Sequence, residues 1–170
     1  MLYRLAMETA FRCCELASLS PACFEFEVQP PTVTVQPADV KKRELTVQVI
    51  RPELVMELQS WFQIAGIGTN EPLWPKLTQK TAEMLRRDLK AVGIPYVDDA
   101  GLYADFHALR HSYVSLIAVG DVHPKIAQRL ARHSDINMTM NRYTHTLLSD
   151  EADALNVLHC FLATIPGRKQ

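Results

Sequence analysis

The segment 106–145 constrains the fold most, because its short predicted helices carry polar and charged residues beside narrow apolar stripes. In the first helix, four residues at helical spacing form the stripe that is expected to face the core: Leu109, Tyr113, Leu116 and Ile117. His107, Arg110 and His111 lie three and four residues apart, so they share a neighbouring face and can converge on one ligand. Since no acidic cluster lies nearby, this face indicates an anionic ligand and favours phosphate.

Two further short helices are predicted in the same segment. Pro124 suits the first turn of the second helix, which is expected to end at His133. Its inward residues are predicted to be Ile126, Ala127, Leu130 and Ala131. Ser134 and Asp135 are typical caps for the start of a third helix, which carries Arg142 and Tyr143. The segment therefore adds another imidazole and a phenol to the polar face of the first helix.

Short motifs in this segment resemble the two C-terminal signature boxes of the tyrosine recombinases, the phage-integrase family. They read H-A-L-R-H at 107–111, L-A-R-H-S at 130–134 and N-R-Y-T-H at 141–145. Upstream, T-A-F-R-C-C-E-L at 9–16 is similar to the first arginine box of that family, with Ala10 in place of the usual glycine. The basic tip of a predicted hairpin, V-K-K-R-E-L-T-V-Q-V at 40–49, offers Lys41 or Lys42 as the family lysine, and the strand register favours Lys41. Each box alone is weak evidence, but the ordered set is specific.

This resemblance implies a site, a mechanism and partners. The implied catalytic residues are Arg12, Lys41, His107, Arg110, His133 and the nucleophile Tyr143. Contacts to the DNA backbone are expected from Lys42, Arg43, Arg132 and Arg142. The implied reaction is site-specific recombination or integration through a 3′-phosphotyrosine, which needs no cofactor and no metal because the phosphoester bond energy is kept. Double-stranded DNA is the implied partner, with self-association into a tetrameric synapse, in a bacterial or phage-derived cytoplasmic protein.

The expected architecture is an α+β fold, mainly helical, with a small three-stranded antiparallel sheet, as in the catalytic domain of this family. Helix is predicted over 2–19 with a break at Thr9-Ala10, from Pro52 to Gly66 and over 77–92, while strands are predicted over 24–28, 32–36 and 45–49. A last helix is expected near 154–162, folded on its own core or docked on a neighbouring subunit. Trp74 is expected to be a packing anchor, and Glu15 to orient an arginine or cap local structure.

Length and composition fit one globular domain: 170 residues, 48% hydrophobic and 22% charged, with no apolar run of membrane-spanning length and no signal peptide. We therefore expect residues 1–170 to form a catalytic domain, with 150–170 as C-terminal helix and tail and without the N-terminal core-binding domain of the family. The chain would then be a fragment, a misplaced start or a degraded gene. The net charge of −1 argues weakly against nucleic-acid binding, although basic residues cluster locally.

Alternative interpretations of the same residues remain open. Arg12 alone would be interpreted as a solvated helix residue. The basic tip alone would be an ordinary solvated loop, or a set of charges that keep a sheet edge from pairing with another strand. The four cysteines lack a C-x-x-C pair and are expected to be small buried hydrophobes. His107 and His111 have zinc spacing, but Ala108 stands where H-E-x-x-H requires glutamate. At the level of function, the alternatives are type IB topoisomerase-like relaxation and a DNA-binding remnant without cleavage.

Overall fold

The computed structural model describes residues 1–36, 45–77, 80–120 and 122–143. Of these, Arg142 and Tyr143 are described by their backbone only. Within them lie seven α-helices and three β-strands, with a 3₁₀ turn at Pro21–Cys23. In chain order the elements are α1 (Leu2–Thr9), α2 (Cys13–Ala17), β1 (Phe24–Glu25), β2 (Thr32–Val35), β3 (Thr46–Val49), α3 (Pro52–Ala65), α4 (Thr81–Ala91), α5 (Ala108–Val119), α6 (Pro124–Ala131) and α7 (Asn137–Tyr143).

The three strands form an antiparallel sheet in the order β1-β2-β3, as predicted. Val33 pairs with Gln48, and both side chains are buried on the inner face of the sheet. Val47 and Val49 alternate with them and are exposed on the outer face. β1 is shorter than the predicted strand, which leaves Val28 outside it and exposed. The connection that holds the basic tip lies outside the described residues.

The hydrophobic core lies between α1, α2, the inner face of the sheet and α3. Leu5, Leu16, Val33, Leu54 and Leu58 are completely buried in it. Replacing any one of these leucines by alanine would remove about 2–5 kcal/mol of folding free energy. Around this core, stacked and tilted rings fill the space between β1, α3 and the following loop: Phe24, Phe26, Trp61, Phe62 and Trp74. The predicted anchor role of Trp74 is confirmed by its stack on Trp61, with ring centroids 5.5 Å apart.

The predicted apolar stripe of α5 is correct only in part: Leu109 packs against the core and Tyr113 and Ile117 are half-buried, but Leu116 is not buried. Leu116 is 62% exposed, whereas Arg110 and Val114, one turn apart, are the residues that α5 buries. α5 packs against α1, α6 and α7. The main-chain carbonyls of Ala10, after α1, and Ala131, at the end of α6, accept hydrogen bonds from Arg110. Because these carbonyls satisfy the guanidinium, a charged residue occupies the position that an apolar residue would otherwise take.

Helix boundaries agree with the sequence where proline or glycine marks them. α3 begins at Pro52, ends at Ala65 and is capped by Gly66 in the left-handed conformation (φ 62°). α6 begins at Pro124 as predicted, but it ends at Ala131, two residues early, and its Ile126 is exposed rather than inward. α4 begins at Thr81 instead of 77, since Leu77 is buried in a turn of the core.

The cysteine prediction holds only in part. Cys13 and Cys23 are half-buried, whereas Cys14 is exposed on α2. Cys160 and the helix predicted near 154–162 lie outside the described residues. Over the described parts of the chain, no helix is long and apolar enough to cross a membrane.

Candidate active site

The break between α1 and α2 creates the first part of the site. Ala10 ends α1 in the left-handed conformation (φ 53°), and its N–H donates to the carbonyl of Ala6 at 3.1 Å. For a residue with a Cβ this conformation costs about 1–2 kcal/mol, which explains why glycine suits the position. The turn places Arg12 at the N-cap of α2 in an extended conformation. It also directs the Ala10 carbonyl towards side chains that arrive from the C-terminal half of the chain.

Arg110 is the most deeply buried of these side chains, at 4% exposure. Its Nη1 donates to the Ala10 carbonyl at 2.6 Å, and its Nη2 donates to the carbonyl of Ala131 at the end of α6. Burial, together with the positive charges of Arg132 and Arg12, lowers the pKa of Arg110 to about 10. The guanidinium therefore remains charged at neutral pH while it joins α5 to two distant turns.

Glu15 is the acidic partner of this cluster, and its side chain is completely buried. Its Oε2 accepts a hydrogen bond from the backbone N–H of Arg12 at 2.8 Å, and its Oε1 accepts one from Arg12 Nη1 at 3.1 Å. Burial by itself raises the pKa of Glu15, but the charge of Arg132 and the hydrogen bonds from Arg12 and Arg132 lower it below its ordinary value. The predicted role of Glu15 in orienting an arginine is confirmed by these contacts.

Arg132 does not lie where the sequence predicted a DNA contact. It ends α6 with φ 53°, a left-handed conformation that turns its side chain inward. Its Nη1 lies 2.8 Å from Glu15 Oε2, its Nη2 donates to the Ala10 carbonyl at 2.7 Å, and its guanidinium covers the ring of Phe11 at 4.6 Å. Only 14% of the side chain is exposed, so its charge is used inside the protein.

His107 stands just before α5, at the exposed side of the arginine cluster. Its ring meets that of His111 edge to face, with centroids 4.9 Å apart. Partial burial lowers the pKa of His107, and the charges of Arg110 and Arg12 lower it further against the opposing effect of Asp105. The imidazole is therefore mainly neutral at pH 7 and can accept a proton.

His133 follows Arg132 directly and is half-buried. Its Nδ1 lies 3.0 Å from Thr139 Oγ1, and its backbone N–H donates to the carbonyl of Gln128 at 3.1 Å. Thr139 is completely buried on α7, and Tyr143 follows it by four residues on the same helix. Asp135 Oδ1 accepts from the N–H of Asn137 at 3.0 Å, in agreement with its predicted capping role.

The structure thus brings together Arg12, Arg110 and His107. His133 follows by two residues the Ala131 carbonyl that Arg110 contacts, and its ring contacts the helix at whose end the backbone of Tyr143 lies. Lys41, Lys42 and Arg43 lie outside the described residues, and Arg142 is described by its backbone only. Two contributors were missed from the sequence: Thr139 and the inward role of Arg132. The spacing of Thr139 to Tyr143, one helical turn, was the available signal for the first. In the parts of the chain that the structure describes, no group of three or more His, Cys, Asp or Glu side chains is arranged to hold a metal ion.

Residues 1–149 match the family model described as "Phage integrase family". The chain therefore belongs to the phage integrase family, which the sequence motifs had indicated. The tyrosine recombinase XerC-like protein of Caldanaerobacter subterraneus subsp. tengcongensis is 31% identical over 74 residues, which cover 44% of this chain and 17% of that protein. Family membership makes this a chain of the tyrosine recombinase class, whose enzymes cleave and rejoin DNA.

Solved structures share the fold. The Tn1549 transposon integrase in complex with transposon right end DNA gives a TM-score of 0.62 at 17% identity and covers 92% of this chain and 57% of its own. XerH recombinase bound to difH substrate gives 0.64 at 19%, covering 89% and 43%. The catalytic domain of bacteriophage HP1 integrase gives 0.59 at 21%, covering 91% and 79%. The predicted α+β fold of a tyrosine-recombinase catalytic domain is confirmed, and the chain spans about half the length of the first two proteins.

Proposed function

We propose that this chain cleaves and rejoins double-stranded DNA at a specific site through a covalent 3′-phosphotyrosine at Tyr143. The phenol oxygen attacks the scissile phosphorus, a new O–P bond forms, and the bond to the 5′ oxygen breaks. His107 accepts the phenol proton, and Lys41 donates a proton to the departing 5′ oxygen. A 5′-hydroxyl from a second strand then reverses these steps, so neither ATP nor a metal is required.

The observation that carries this proposal is the convergence of Arg12 and Arg110. Their guanidiniums come from distant parts of the described chain and are fixed by Glu15 and by the carbonyls of Ala10 and Ala131. Two guanidiniums held by the protein can bind the non-bridging phosphate oxygens without reorganising when charge develops. Three guanidiniums and one carboxylate leave the cluster with a net positive charge, which suits a phosphodiester.

The two histidines support the same assignment from different positions. The lowered pKa of His107 keeps it mainly neutral at pH 7, which is the state that a general base requires. The ring of His133 is oriented by Thr139, on the helix that leads to Tyr143. We assign His133 to hydrogen bonding with a non-bridging oxygen, beside the nucleophile.

DNA is the proposed partner, since the similar Tn1549 integrase and XerH structures contain DNA. Lys42, Arg43 and Arg142 are proposed to contact the phosphate backbone, which leaves Arg132 for the inward role described above. We propose that residues 1–170 act as the catalytic domain, that active subunits assemble as a tetrameric synapse on DNA, and that the reaction takes place in a bacterial cytoplasm.

Covalent trapping on a nicked suicide duplex tests this proposal. Cleavage next to the nick releases a short oligonucleotide, so the tyrosyl-DNA adduct cannot reverse and accumulates as a band of higher mass. Wild-type protein should form the adduct, and peptide mapping should locate it at Tyr143. A supercoiled plasmid without a partner site distinguishes site-specific recombination from type IB topoisomerase-like relaxation. Relaxation of this plasmid without strand exchange would indicate topoisomerase-like activity. Binding without any adduct would indicate a DNA-binding remnant.

A further inference from the structure

Both oxygens of the buried Glu15 carboxylate are occupied by arginines from two different elements. Oε1 accepts from Arg12 Nη1 at 3.1 Å, and Oε2 lies 2.8 Å from Arg132 Nη1 and also accepts the backbone N–H of Arg12. Arg12 therefore contacts this carboxylate through one guanidinium nitrogen, not through its two-pronged fork. About a third of the Arg12 side chain stays exposed.

Arg132 is fixed more firmly than Arg12. Its left-handed backbone, its stack on Phe11 and its hydrogen bond to the Ala10 carbonyl hold the guanidinium in place. The charged groups around Glu15 are Arg12 at the N-cap of α2, Arg132 at the end of α6 and Arg110 on α5. Since Arg110 is already bound to two carbonyls, Arg12 is the one of these that can approach Glu15 further.

We propose that Arg132 is a positioning residue that occupies Glu15 Oε2 and thereby prevents Arg12 from closing onto Glu15 as a bidentate ion pair. This inference rests on the proposed cleavage function, in which Arg12 must bind the scissile phosphate. A carboxylate and a guanidinium prefer the two-pronged geometry, and a buried carboxylate that loses one cation draws the remaining one towards it. Without Arg132, Arg12 is captured by Glu15 and withdrawn from the phosphate.

The test compares Arg132→Met with wild type and with the matched control Arg129→Met, which removes an exposed arginine of the same helix. Methionine keeps an unbranched side chain beside Phe11 but removes the guanidinium that covers the ring. Single-turnover adduct formation on the suicide duplex should fall about 100-fold in Arg132→Met at neutral pH, the effect of losing one transition-state contact, and should change little in Arg129→Met. Adding Glu15→Gln to Arg132→Met should restore most of the rate, because a neutral amide does not capture Arg12.

The pH profile separates positioning from mere structural support. Loss of the Arg132 charge removes a contribution that lowers the pKa of the buried Glu15, so acid protonates it in the variant and releases Arg12. The rate of Arg132→Met relative to wild type should therefore rise as the pH falls towards the ordinary glutamate value of 4.5. If Arg132 only supported the fold, the rate of Arg132→Met relative to wild type would fall in acid. Adding Glu15→Gln would then not restore the rate of adduct formation per folded molecule. Either result overturns the proposal.

A measurement without DNA keeps this inference independent of the cleavage function. In the full chain labelled with ¹⁵N-arginine, the guanidinium N–H signals of Arg12 should exchange more slowly with solvent in Arg132→Met than in wild type at neutral pH. Unchanged or faster exchange refutes capture by Glu15. Slower exchange in the variant, together with no adduct in wild type, would support the positioning role and refute the proposed cleavage function.

Discussion

Replacing Arg110 by lysine would keep a positive charge in the site but would remove the planar fork that contacts two carbonyls. Burial, together with the positive charges of Arg132 and Arg12, lowers the pKa of Arg110 to about 10. An ordinary lysine has a pKa of about 10.4, and the same surroundings would lower the pKa of the introduced amine from there towards neutral pH. Arg110→Lys should therefore lose its charge as the pH rises from about 7 to about 9, whereas the wild-type guanidinium stays protonated across that range.

The magnitude follows from the two hydrogen bonds of Arg110. A hydrogen bond from a charged donor contributes about 1.5–3 kcal/mol, and an amine can keep the contact with Ala10 or with Ala131 but not with both. At neutral pH, Arg110→Lys should thus lower the free energy of unfolding by about 1.5–3 kcal/mol. Adduct formation should fall about 100-fold to 1000-fold, since a point charge does not reproduce the fork.

Single-turnover trapping at several pH values, with urea unfolding on the same samples, measures both effects. The matched control is Arg129→Lys, an exposed exchange on α6 that should change neither quantity. The rate of Arg110→Lys relative to wild type should drop about tenfold with each pH unit above its pKa. A constant ratio between about pH 7 and pH 9 would show that the surroundings of Arg110 do not disfavour charge, and the reasoning would be refuted.

Three further outcomes are expected. Burial raises the pKa of Glu15, but Arg132 and Arg12 lower it below 4.5, so the ion pairs of Glu15 stabilise the fold above that pH. In urea unfolding, wild type should have a higher free energy of unfolding than Glu15→Gln at neutral pH, and this difference should be lost as the pH falls below about 4.5. Tyr143→Phe should abolish the covalent adduct while Tyr113→Phe forms it, and mapping of the adduct to Tyr113 would contradict the assignment. Lys41→Ala should cleave ordinary DNA slowly but recover on a 5′-phosphorothiolate, whose sulfur leaves without a proton, and rescue of Lys42→Ala instead would move the role to Lys42.

The parts of the fold that could be predicted depend on signals that act within one helical turn. Pro52 and Pro124 fix φ and need no N–H partner, so they mark the starts of α3 and α6 correctly. Gly66 adopts a left-handed conformation at the end of α3 for an equally local reason. α4 shows the limit: Leu77 continues the apolar period of that helix, yet the core takes it up in a turn.

The sequence predicted which arginines belong to the site, but it did not predict how they are arranged. The motifs named Arg12 and Arg110, but the burial of Arg110 depends on a carbonyl that is 100 residues away. The inward turn of Arg132 depends on its left-handed backbone and on Glu15, whereas the sequence predicted a contact with the DNA backbone. Helical periodicity predicts which residues share a face, but it does not identify the acceptors that the rest of the chain brings to that face.

The hydrogen bonds to Ala10 also determine when the site can form during synthesis. This carbonyl accepts hydrogen bonds from residues that follow it by 100 and 122 positions, so closing these contacts requires a long loop of chain. Most of the hydrophobic core uses residues before position 78 and can be buried while the ribosome is still adding the rest. A nascent chain that has not reached Arg132 therefore has a scaffold without a completed arginine cluster. Vectorial synthesis therefore places the completion of the arginine cluster after the burial of most of the described core.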